Sequence, residues 1–154
     1  YNTISPATVI FNCTDNSYNV IEGIPCTYNT TTVNNKFFTV GSQFSYSTNE
    51  YVYYVNTIDP ATMEITNGFE RPDGTVAETP YNVISKMQNP YCVYCNPYTG
   101  HLYVVDAKSY TSAADVFEFD ANGNQVGSAL AAYINPGHMI AVPSNAVTSA
   151  TLQH

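Results

Sequence analysis

Short runs of β-branched and aromatic residues, broken repeatedly by Asn, Asp, Gly and Pro, set the pattern of this chain. Thr8-Val9-Ile10-Phe11, Phe37-Phe38-Thr39-Val40, Val52-Tyr53-Tyr54-Val55, Leu102-Tyr103-Val104-Val105 and Val116-Phe117-Glu118-Phe119 are the clearest of them. Runs of this chemistry, bounded by turn formers, predict strands. In the last third the spacing predicts four in succession. An inner strand near 91–95 meets the turn Asn96-Pro97-Tyr98-Thr99-Gly100 and a second strand at 101–106. A third follows near 115–119, and a fourth near 125–132 after the turn Ala121-Asn122-Gly123.

The pattern recurs. Tyr18-Asn19-Val20-Ile21, followed by Pro25, returns as Tyr81-Asn82-Val83-Ile84, followed by Pro90. From Pro25 the segment PCTYNTTTVNNKFFTV aligns without gaps to PYCVYCNPYTGHLYVV, so Phe37–Val40 overlies Leu102–Val105. Asn135-Pro136-Gly137-His138 makes a third such start, before the apolar run Met139 to Val142. Inside the units, Tyr110 leads to Val116–Phe119 and Asp120, and Tyr46 leads to Val52–Val55 and the turn Asp59-Pro60-Ala61-Thr62. Tyr1-Asn2-Thr3-Ile4-Ser5-Pro6, leading to Thr8–Phe11, has the same layout.

Four antiparallel strands in a repeat of roughly 40 to 50 residues are the signature of a β-propeller blade. The expected fold class is therefore all-β, a β-propeller fragment of four-stranded antiparallel blades. Residues 1–21 are expected to end one blade, 24–84 and 89–133 to form two whole ones, 135–142 to begin a further one, and 143–154 to form a tail. The middle unit is longer because Asn67 to Pro80 adds a polar loop containing Arg71-Pro72-Asp73-Gly74. Closing a propeller takes about four to eight blades. The expectation is a C-terminal fragment, completed by the remaining part of the same propeller or by further copies of the chain.

Charge narrows the partners. Four Lys and Arg against twelve Asp and Glu leave a formal charge of −8. Phosphate backbones and anionic membrane surfaces both call for clustered cations, so neither is an expected partner. No run approaches the roughly 18 to 20 apolar residues of a spanning helix. Tyr1 opens a polar stretch without the charged start of a signal peptide. Cys92 and Cys95, three apart on an expected strand, point to opposite faces and do not reach each other. With Cys13 and Cys26 they are expected as thiols, and only His101 lies nearby in sequence as a zinc ligand. Asn12-Cys13-Thr14 and Asn29-Thr30-Thr31 are glycosylation sequons of the kind that arise by chance in an Asn- and Thr-rich chain.

Asn89-Pro90-Tyr91, Asn96-Pro97-Tyr98-Thr99-Gly100, Tyr103 to Tyr110, Phe119-Asp120-Ala121-Asn122-Gly123 and Pro136-Gly137-His138 together resemble the terminal blades of YncE-like bacterial surface β-propellers, which include surface layer proteins and lipid-anchored propellers. The resemblance covers roughly the last third of the chain and reaches the rest through the repeat. It implies an extracytoplasmic, cell-surface, periplasmic or secreted binding protein. Some relatives bind cobalamin, so a cobalamin-like ligand is one implied possibility, beside a glycan-like one. The Asp106-Ala107-Lys108 of the last unit becomes Gly41-Ser42-Gln43 in the middle one, a departure from the family pattern.

In an up-and-down blade the loop entering the first strand and the loop joining the second and third share one end. That end is expected to carry Tyr1, Tyr46, Tyr91 and Tyr110, with Asp106, Lys108 and His138. Loops on a rigid scaffold commonly carry function, and aromatic planes beside a few polar groups suit a corrin or a glycan. Equally, a repeated tyrosine fixes its own loop, Asp106 pairs with Lys108, and His138 opens a strand. No H-E-x-x-H, G-x-S-x-G or phosphate-binding loop occurs. Asp115 and Glu118 read as solvated strand positions, and no resident cofactor or catalytic residue is assigned. The leading expectation is non-enzymatic binding. A structural surface-layer or interaction role is the first alternative, and a metal-assisted lyase using His138 is the second.

Overall fold

A computed structural model describes residues 7–23 and 30–143. Two short strands, β1 (Ala7–Phe11) and β2 (Tyr18–Glu22), form a hairpin. A four-stranded antiparallel meander follows: β3 (Thr30–Val33), β4 (Lys36–Ser45), β5 (Glu50–Ile58) and β6 (Ile65–Asn67). Next come a small ladder, β7 (Phe69–Glu70) with β8 (Val76–Ala77), and one helix, α1 (Glu78–Ile84). A second four-stranded meander closes the described fold: β9 (Pro90–Cys95), β10 (Leu102–Asp106), β11 (Ala113–Phe119) and β12 (Leu130–Ile134). No helix among the described residues is long and apolar enough to cross a membrane.

The sheets stack face to face, and strand alternation decides which side chain meets which neighbour. On one face of β3–β6, Val33, Phe38, Val40 and Val55 pack against Val93, Leu102, Val104 and Phe119 of β9–β12. Phe38 is fully buried and meets Phe69 edge-on, with ring centroids 5.6 Å apart. Burying one such ring stabilises the fold by roughly 1.5–3 kcal/mol. The opposite face of β3–β6 carries Phe37 and buried Thr39 and Ile58, and a crevice separates Phe37 and Thr30 from Thr8 and Ile10 of β1. The order of layers is thus β1–β2, then β3–β6, then β9–β12.

Turn chemistry accounts for the hairpins. Asn34 and Asn35 both adopt positive φ, 51° and 61°, the two-residue turn that matches strand twist. The corresponding turn of the last sheet is longer, with Asn96 N–H bonded to the His101 carbonyl at 2.9 Å. The gap-free alignment of the two segments therefore slips by two residues before the turn. Thr39 pairs with Thr30 while Val104 pairs with Val93, and beyond the turn Phe37–Val40 and Leu102–Val105 occupy like places.

Three expectations need correcting. Tyr81–Ile84 is helical, although the identical Tyr18–Ile21 lies in a strand. Pro80 sits in the first helical turn, where no backbone N–H is needed, and Pro80 and Ile84 are buried. The fourth strand of the last sheet begins at Leu130, later than expected, and only a single bridge from Gln125 to Phe119 precedes it. Residues 136–142 form no ladder among the described residues. They instead cross the outer face of β9–β12, where Met139 packs on Cys92, Val105 and Ala114.

Candidate functional site

The expected loops do meet at one end of the last sheet. β10 stops at Asp106 because its ladder with β9 shifts register between Val105 and Asp106. The Asp106 carboxylate then accepts the N–H groups of Gln88 at 3.1 Å, Asn89 at 2.8 Å and Lys108 at 2.9 Å. Ala107 N–H bonds back to the Asn89 carbonyl at 2.9 Å, and the Asn89 amide donates to the Lys108 carbonyl. Tyr53 reaches over from β5 and donates its hydroxyl to the Gln88 carbonyl at 2.6 Å. Burial, and then the Asp106 charge, raises the Tyr53 pKa. Both Asp106 oxygens thus hold the loop's own backbone.

That scaffold presents two rings. Tyr91 and Tyr110 meet edge to face, with centroids 5.5 Å apart and planes at 81°. Gly137 lies against Tyr91, so close that a Cβ there would stand 3.8 Å from its ring. This brings exposed His138 to the same end. Lys108 and Tyr110 both adopt left-handed backbone, φ 49° and 62°. Such a conformation is strained for a bulky aromatic, and strained residues concentrate at binding loops.

The expected pairing of Asp106 with Lys108 gives way to another. Lys108 Nζ bonds Asp115 Oδ1 at 2.9 Å, because the carboxylate of Asp106 is occupied. Tyr46 stands apart from this cluster, at the tip of the long β4–β5 hairpin, 92% exposed, with its ring edge-on to Phe44 at 5.2 Å. The reason lies in the departure already noted. Where β10 ends on Asp106, β4 continues through Gly41, over which the Tyr54 ring lies. A Cβ at Gly41 would collide with that ring. Tyr1 lies outside the described residues.

A second constellation escaped the sequence. Glu118 Oε1 accepts a hydrogen bond from the Tyr103 hydroxyl at 2.8 Å and pairs with His101 Nδ1 at 2.7 Å. Tyr103 and Glu118 are direct cross-strand partners, so the register of two adjacent strands was the missing signal. The bond from His101, followed by that from Tyr103, lowers the Glu118 pKa against the cost of burial. Burial, then the bond to Glu118, pushes the Tyr103 hydroxyl up to about 12. Asp115 and Glu118 are therefore paired rather than simply solvated. The described cysteines Cys13, Cys92 and Cys95 are free thiols, Cys92 on the outer and Cys95 on the inner face of its sheet. Cys26 lies outside the described residues. No group of three or more His, Cys, Asp and Glu that could hold a metal occurs among the described residues.

No protein-family model matches the chain, and no curated protein matches it.

Proposed function

We propose that this chain is part of an extracytoplasmic β-propeller that binds a small molecule without catalysis. The proposed site is built on the Tyr91–Tyr110 ring pair, with Lys108 and His138 on the adjoining loops. Two stacked up-and-down meanders, each with its four strands in chain order, support the blade reading. Cys95 N–H of β9 bonds Thr31 Oγ1 of β3 at 3.0 Å, which sets those first strands side by side. The observation that carries the binding reading is Tyr110. The residue is 43% exposed on a strained loop, and Asp106 holds that loop from beneath. A rigidly mounted aromatic plane with polar residues on the adjoining loops suits a corrin or a glycan, which offer extended faces and rims of polar groups.

Calorimetric titration with cyanocobalamin and a panel of oligosaccharides tests this reading. One of these ligands binds, Tyr110→Ala weakens it at least tenfold, and circular dichroism of the variant is unchanged. Failure of every ligand to bind, or equal affinity in Tyr110→Ala, removes the proposal.

A further inference from the structure

The outer face of β9–β12 and the outer face of β1–β2 are the two halves of one repeated interface. Phe38 and Val40 of β4 occupy the repeat positions of Tyr103 and Val105 of β10. The first pair is buried under the next sheet; the second pair faces outward, beside Cys92, Val116 and exposed Leu130. The complementary half is on β1. Phe11 stands where Phe119 stands in β11, because each ends its strand just before a turn that the next residue's N–H closes. Asn12 N–H bonds the Ser17 carbonyl at 2.8 Å, and Asp120 N–H bonds the Asn124 carbonyl at 2.9 Å. Val9 correspondingly takes the place of Phe117. Phe119 is fully buried against the preceding sheet, whereas Phe11 is 53% exposed. Val9, Val20 and Tyr18 share the Phe11 face through direct cross-strand pairing, and all three are exposed.

A hydrogen bond shows how far the repeat continues past β12. Thr31 and Tyr94 hold the same strand position, opposite Phe38 and Tyr103 respectively. Thr31 Oγ1 accepts the N–H of Cys95, and Tyr94 Oη accepts the N–H of Ala141 at 2.7 Å. Counting back from these two donors sets Pro136 on Pro90 and Met139 on Val93. Met139 packs on the outer face of β9–β12 as Val93 packs on β3–β6. Residues 136–142 thus lie in the place of a first strand, with Ile140 and Val142 exposed and no ladder partner among the described residues.

We propose that a second copy of this chain covers this surface head to tail. Its β1–β2 hairpin packs Val9, Phe11, Tyr18 and Val20 toward Val116 and Leu130. A second copy is the occupant because each chain presents both halves of the interface, on opposite ends of its stack. Surfaces that differ on the two partners make a heterologous contact, which propagates into rings or filaments. The proposal rests on the blade reading of the sheets but not on the ligand site, so a failed ligand titration leaves it standing.

Phe11→Asp and Leu130→Asp each place a charge on one half only, at positions already exposed. The parent chain is expected to sediment at two or more times 16.9 kDa, and each variant alone at 16.9 kDa with its strand circular dichroism intact. An equimolar mixture of the two variants is expected to give a dimer and nothing larger, because one sound half remains on each partner. A parent that stays at 16.9 kDa up to millimolar concentration overturns the proposal. So does a mixture of the two variants that does not pair.

Discussion

Phe119 and Phe11 each end a strand just before a turn that the next residue's N–H closes, yet one is fully buried and the other half exposed. The difference is a packed sheet over Phe119 that Phe11 lacks among the described residues. Burial is therefore a property of the stack, and on the proposed blade reading each repeat supplies half of two interfaces. The same contrast separates Phe38 from Tyr103 across the next layer.

The comparison can be broken most severely at the buried ring. Phe119→Ala should cost about 3–5 kcal/mol, and Phe11→Ala less than about 1 kcal/mol in the dilute chain, both read by urea denaturation. The next largest effect lies beneath the candidate site. Asp106→Ala strands three backbone N–H groups and should cost about 2–3 kcal/mol, with faster hydrogen exchange at Gln88, Asn89 and Lys108. Gly123→Ala probes the covered interface from its edge. A Cβ there would stand 2.7 Å from the Ala77 Cβ and 2.9 Å from the Phe69 ring, on a backbone with φ +78°. A loss of about 1–3 kcal/mol in thermal or urea unfolding is expected.

The smallest effect sharpens the open face. Hydrogen bonds from His101 and then Tyr103 hold the Glu118 carboxyl below its ordinary range, so the folded state binds that proton less readily than the unfolded one. The stability it confers is complete above the ordinary carboxylate range and is lost as the pH falls through the depressed folded value. Glu118→Gln should flatten that acid limb of the stability curve while leaving the neutral-pH fold in place.

Much of the fold was legible because strand content depends on period and turn chemistry. Ala121-Asn122-Gly123 marked its turn, and the strand runs at 102–105 and 116–119 fell where expected. The helix was not legible. Tyr-Asn-Val-Ile takes both conformations in this one chain, and Pro80 in the first turn with Ile84 in the core selects the helix at its second occurrence. Of the candidate site, the shared end of the Tyr91 and Tyr110 loops followed from alternating connectors. The separation of Tyr46 did not, because it turns on one position. Asp106 ends β10, whereas Gly41 lets β4 run on under Tyr54. Pairing across strands, such as Glu118 with Tyr103 and His101, needs a register that a sequence does not print.

Amide hydrogen exchange at two protein concentrations tests the stacked-interface account most directly. In dilute solution β11 should be strongly protected and β1 should exchange quickly, although the two strands are equivalent in the repeat. At high concentration β1, β2 and residues 136–142 should gain protection together. Exchange in β1 that ignores concentration would contradict the account, as would protection already equal to that of β11 when dilute.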